Sequence, residues 1–156
     1  MANSANETVL YPFTAFNFSV EITKAGDAAS LCSAAFAECD GLEMTIDVKT
    51  IREGGDNGRQ IRLSGPVTYG QLTLKRGMTA SFDLWDWFSA SIVDPALRAS
   101  AEVVMLAPDG AERARFVLDR CLPVKLKAPA LSARDGMVAI EELQLAYESL
   151  SHKAPA

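Results

Sequence analysis

The chain has 156 residues, of which 49% are hydrophobic and 22% charged, a balance that suits one globular domain with a single core and is short for two. A formal net charge of -5 and a pI near 4.9 argue against nucleic-acid binding by phosphate neutralisation, and the basic residues are dispersed apart from Lys75-Arg76 and Arg113/Arg115. No run is long and apolar enough to cross a membrane, so no membrane insertion by this chain is expected, and Met1 to Thr8 lacks the basic-then-apolar order of a signal peptide.

In chain order, Phe16, Phe18, Val20 and Ile22 alternate with polar residues and predict a half-buried strand that Ala25-Gly26-Asp27 ends. The stretch Ala28 to Ala35 reads as a loop or a short helix, and Phe36 to Asp40 as a short strand turning at Gly41. Leu42, Met44, Ile46, Val48 and Thr50 then alternate into Arg52-Glu53-Gly54-Gly55-Asp56-Asn57-Gly58, and Ile61 and Leu63 resume the pattern. This is a projecting hairpin with a charged, glycine-rich tip. Ser64-Gly65-Pro66 is expected to break the pattern before a further strand through Leu72 and Leu74.

One helix is predicted from about Ser81 to Val93, with Leu84, Phe88 and Ile92 as its apolar stripe, Trp85 beside them and Trp87 turned to a second surface. Thr79 or Ser81 is the expected cap, Asp83 and Asp86 suit the first turn, and Asp94-Pro95 stops the helix. Strands follow over Ala101 to Ala107, over Arg115 to Leu126 with Pro123 marking an edge or bulge, and through Val138, Ile140, Leu143, Leu145 and Tyr147. The apolar parity changes between Ile140 and Leu143, as a bulge or burial on both faces would produce. The class is mainly β with one helix. The domain is expected over residues 12–150, between a flexible segment 1–11 and a tail 151–156 that holds the lone His152.

The residues carry no catalytic grouping: no phosphate loop, no nucleophile elbow and no Ser/His/Asp set. Glu141 and Glu142, adjacent on a strand, point to opposite faces and cannot act together on one substrate. Cys32, Cys39 and Cys121 fit no metal spacing and read as reduced thiols of a protein made in the cytoplasm. No metal or cofactor is expected.

Seven blocks occur in order. They are Ala15-Phe16 onward to Val20-Glu21-Ile22; Phe36 and Glu38-Cys39-Asp40-Gly41-Leu42-Glu43; Arg52 to Gly58; Leu72-Thr73-Leu74-Lys75-Arg76-Gly77; Leu84-Trp85-Asp86-Trp87-Phe88; Pro123-Val124-Lys125; and Val138 to Leu143. Together they resemble the tail tube family of contractile phages and of phage-derived contractile injection systems, over about residues 12–150. The resemblance implies a small Hcp-like β-barrel of two packed antiparallel sheets with one flanking helix and a long projecting hairpin arm.

It further implies a homo-hexameric ring that stacks into an inner tube. The tube would have a surrounding sheath, baseplate or spike and tube-terminator proteins as partners, and a protein effector or DNA as payload. The particle would be assembled in the cytoplasm, as a phage virion or a phage tail-like particle that stays there, is membrane-anchored or is released. Arg52, Glu53, Gly54, Gly55, Asp56, Asn57, Gly58 and Arg59 become the candidate subunit contact, with charge setting register. Glu43, Thr45, Asp47, Lys49, Gln71, Thr73 and Lys75 are candidate lumen-facing residues. Two other readings stand beside the tube subunit: a tube-initiating baseplate paralogue of the same fold, and a monomeric ligand-binding β-barrel, which would need an enclosed apolar cavity.

Overall fold

A computed structural model describes residues 11–55 and 57–155; Asp56 of the hairpin tip lies outside the described residues. The order is β1 (Phe18–Lys24), β2 (Cys32–Ala34), β3 (Glu38–Asp40), β4 (Met44–Ile51), β5 (Ile61–Tyr69), β6 (Gln71–Gly77), α1 (Asp83–Val93), β7 (Ala99–Leu106), β8 (Glu112–Lys127), β9 (Ile140–Ala146) and β10 (Ser149–Lys153).

All strand pairs are antiparallel, and β8 organises them. Its first half pairs with β7 on one side and β10 on the other, extending through β1 to β2. Its second half pairs with β9, which leads through β6 to β3. Two sheets therefore share one long strand. Extra residues in β8 bend it between them, one in the left-handed region at Arg120 (φ 52°) and one in the register shift between Pro123 and Lys125. Among the described residues, the path β2-β1-β7-β8-β9-β6-β3 is open at both ends. Of the expected β-barrel of two packed antiparallel sheets, the packed sheets form, but the described strands of one chain do not close into a barrel.

Val20, Ile22, Leu72, Leu74, Ala101, Val103, Leu118, Leu143 and Leu145 fill the space between the sheets, and Leu84 and Trp87 enter it from α1. The helix corrects the expected stripe. Leu84, Trp87 and Ser91 are buried and Phe88 and Trp85 half-buried, whereas Ile92 is 69% exposed. At 100° per residue, positions 84, 87, 88 and 91 share one face and 92 falls past its edge. Trp87, expected on a second surface, is a core residue with 0% exposure. The cap also differs: Phe82 stands at the N-cap position and makes no side-chain cap hydrogen bond, the Asp83 carboxylate accepts the Leu84 N–H at 2.9 Å within the first turn, and Thr79 Oγ1 takes only the Ser81 N–H in the preceding turn.

Four further expectations change. The Ala28 to Ala35 stretch is neither loop nor helix throughout, because β2 pairs with β1. Ser64-Gly65-Pro66 does not end β5 but forms a bulge within it, where a Cβ on Gly65 would lie 2.5 Å from the Asp47 carbonyl oxygen. The parity change before Leu143 needs no bulge: Glu141 occupies the inward position that the alternation reserves for an apolar residue. Ser151 to Lys153, expected as tail, belong to β10, and His152 stands opposite Phe116 with ring centroids 5.6 Å apart.

Candidate assembly interface

β4 and β5 form a two-stranded sheet of their own, paired with no other strand among the described residues. Cross-strand register places Met44 opposite Tyr69, Ile46 opposite Val67 and Val48 opposite Ser64, so that one face is apolar along most of its length. Met44, Ile46, Val48 and Val67 are 45–62% exposed. The other face carries Thr45, Thr68, Asp47 and Lys49, with Leu63, Ile51 and Ile61 toward the tip. An isolated two-stranded hairpin is marginal in water, and a contiguous exposed apolar face signals a partner. The tip residues Arg52, Glu53, Gly54, Gly55, Asn57, Gly58 and Arg59 are all exposed, and Gly55 takes the positive φ (100°) that the reversal needs.

The root of the hairpin is fixed by a residue that the sequence showed only as a strand apolar. The Tyr147 hydroxyl donates to the Gly41 carbonyl at 2.7 Å and accepts the Glu43 N–H at 3.1 Å, while its ring lies 5.8 Å from that of Tyr69. Burial pushes its phenol above the ordinary range. Gly41 runs so close to β6, at φ 108°, that a Cβ there would meet the Gln71 carbonyl oxygen. A tyrosine at the end of β9 was the available signal, but its partner lies more than a hundred residues away.

The lumen candidates divide. Thr45, Asp47 and Lys49 lie on the hairpin, with Glu43 at its root, whereas Gln71, Thr73 and Lys75 lie on the outer face of β6, opposite the buried Leu72 and Leu74. On that outer face Lys75 is flanked by Glu38 of β3, 3.4 Å away, and by Glu142 of β9, which in turn pairs with Lys127 of β8.

Behind the same sheet, Arg76 and Glu141 are buried together. Arg76 Nε donates to Glu141 Oε1 at 2.5 Å, its Nη2 to Asp83 and its Nη1 to Cys32 Sγ at 3.2 Å; Trp85 Nε1 donates to Glu141 Oε2 at 3.0 Å. Burial alone would lower the pKa of Arg76, but the hydrogen bonds to Asp83 and Glu141 outweigh it and raise it, so the guanidinium is firmly charged. Burial likewise opposes ionisation of Asp83, and Arg76 outweighs it, so the Asp83 carboxyl stays below its usual range. This network ties α1 to β6 and β9. Burial pushes the Cys32 and Cys121 thiols up to about 12 and Cys39 to about 11, which makes them poor nucleophiles.

Over residues 14–151 the sequence matches the T4-like virus tail tube protein gp19 family. The chain belongs to that family. Among solved structures it is similar to a chain of the anti-feeding prophage baseplate, six-fold symmetrised, at 25% identity and a TM-score of 0.84, covering 94% of this chain and 98% of that one. A chain of the extended PVC sheath-tube complex, from an extracellular contractile injection system, shares 18% identity and a TM-score of 0.79 over 99% of both chains. One from the anti-feeding prophage tube-terminating cap shares 18% and 0.81, also over 99% of both. The fold likeness extends to Hcp1 from Flavobacterium johnsoniae, with a TM-score of 0.51 and 17% identity over 87% of this chain and 95% of that one. Comparison with curated protein sequences yields no match.

Proposed function

We propose that this tail tube family chain is the repeating, non-catalytic subunit of the inner tube of a contractile tail or injection system. Its hexameric rings stack around a lumen that passes payload. The observation that carries this reading is the β4–β5 hairpin, a half-apolar arm whose exposed face has no partner strand among the described residues. A neighbouring subunit supplies that cover, with Arg52, Glu53, Arg59 and Asp56 setting register. The polar outer face of β6, including Gln71, Thr73 and Lys75, lines the lumen and offers little adhesive surface to a protein effector or DNA. Sheath, baseplate or spike and terminator proteins complete the particle, as a phage or phage-tail-like assembly.

Electron microscopy of the purified protein tests this: rings or tubes with six-fold symmetry are expected, and a chain that stays monomeric at high concentration and low salt overturns it. The likeness to a baseplate chain at 25% identity favours a second reading, a tube-initiating paralogue. Rings that never elongate beyond one or two layers would select that reading, and long tubes would reject it.

A further inference from the structure

We infer that Tyr147 is a latch that sets how the hairpin arm leaves the body, by standing in for two broken rungs of a longer ribbon. The latch is a property of the free chain, and its use in assembly rests on the tube-subunit reading. β3 pairs with β6 as far as Asp40 opposite Thr73, and β4 pairs with β5 from Met44 opposite Tyr69. Four residues forward on one strand match four back on the other, so a single antiparallel register runs from the body into the arm. The ladder is nevertheless interrupted, and the arm is a separate sheet. Across the break, residues 41–43 and 70–72 share one backbone hydrogen bond, from the Gly70 N–H to the Glu43 carbonyl at 3.1 Å.

That bond makes Glu43 and Gly70 a hydrogen-bonded pair, whose second half would run from the Glu43 N–H to the Gly70 carbonyl. The Glu43 N–H donates instead to the Tyr147 hydroxyl at 3.1 Å. The next such pair in this register is Gly41 with Leu72. There the Gly41 carbonyl, which would accept the Leu72 N–H, accepts the Tyr147 O–H at 2.7 Å; the Glu43 carbonyl, 3.0 Å from the same hydroxyl, is the alternative acceptor. A tyrosine that merely stapled the fold would need one backbone partner, whereas this one fills a place in both rungs at the break. Each strand also passes the break at a glycine. Gly41 sits at φ 108°, where a Cβ would collide with the Gln71 carbonyl oxygen, and a Cβ on Gly70 would collide with the Glu43 side chain. Glycine crosses readily between that φ and extended backbone, so Gly41 is the hinge. Withdrawing the hydroxyl frees both rungs to close, and the arm then continues the β3–β6 ribbon as one sheet. Tyr147 is only 5% exposed, so a withdrawn hydroxyl has little water to turn to. The latched pose is therefore the ground state, and it presents the arm to a neighbour in one fixed orientation.

Spin-label distances in the full chain test the latch, at concentrations where the protein is monomeric. Labels go on Lys49→Cys in the arm and Ser100→Cys in β7, both exposed, with Cys39→Ser as background because Cys32 and Cys121 are buried. The parent chain should give one narrow distance. Tyr147→Phe removes about one hydrogen bond's bias, which shifts the ratio of the two poses about tenfold, so a second distance should appear with unchanged circular dichroism. Gly41→Ala, strained at the positive φ, should produce the same second distance, and the double variant should do no more than either alone, because both act on one hinge. A single unchanged distance in Tyr147→Phe overturns the latch. In the second arm, Tyr147→Phe should lower the assembled fraction seen by electron microscopy. Full assembly of a variant that shows the second distance overturns the role of the latch in assembly and leaves the tube reading standing. A parent chain that never assembles, beside a second distance in the variants, supports the latch and overturns the tube reading.

Discussion

Arg76 shows how one side chain decides where an element sits. It projects from β6 toward the core, where a charge is tolerated only when paired, and two carboxylates and the indole of Trp85 complete the network. Removing one partner leaves a buried charge alone, so Arg76→Met should lower the unfolding free energy by about 3–5 kcal/mol, read from urea denaturation at concentrations where the protein is monomeric. Replacing the whole network by apolar residues of similar size should cost less than that single change, because no charge is then stranded. Asp83 makes the network sensitive to acid. Its folded pKa lies below the unfolded value of about 3.9, so it stabilises the fold above that value and the contribution is lost as pH falls through the folded pKa. Asp83→Asn should flatten the stability profile below about pH 4 relative to wild type, measured by thermal melts across an acid series.

At the scale of the element, the hairpin is the part of the fold that the other described strands leave unpaired. Among the described residues its strands pair only with each other, and Tyr147 and Gly41 hold its root. Deleting Glu53 to Gly58 should leave circular dichroism and the melting temperature close to wild type while impairing stacking of rings, as seen by electron microscopy; tubes of normal length would reject the role given to the tip. Ile46→Asp should change monomer stability by less than ~0.5 kcal/mol, as an exposed position does. The same change should strongly reduce assembly, because it places a charge in a face that neighbours must cover. Tyr147→Phe keeps the ring but loses both root hydrogen bonds. It should cost about 1–2 kcal/mol of stability and loosen the hairpin, measured by faster amide exchange in β4 and β5.

For the whole molecule, two sheets with open edges and an unsupported arm are a poor end state for a monomer. Free edges invite pairing, and exposed apolar faces invite association. In the proposed tube both become contacts between subunits, with the charges at the hairpin tip setting register. Assembly dominated by such joints should weaken as salt rises past about 0.5 M, where exposed ion pairs are screened, while the apolar arm contact persists; light scattering across a salt series checks it.

Much of this was legible in the residues. The strands with clean alternation, the arm and the family resemblance all rest on local patterns that a sequence displays directly. What failed did so where a distant partner overrules the local pattern. Glu141 takes a core position only because Arg76 and Trp85 are waiting there, and it made β9 look as though it changed parity. Trp87 turns inward because α1 packs on the face it shares with Leu84 and Ser91. Ser64-Gly65-Pro66 stays in β5 because Asp47 stands opposite a bulge, and Ser151 to Lys153 form a strand because β8 is long enough to pair with them. Sequence alone therefore determined the class, the hairpin and the family, since these follow from periodicity, turn chemistry and the order of local blocks. Tertiary structure decided which edges are open and which charges share a row, because strand pairing brings together residues that lie far apart in the chain.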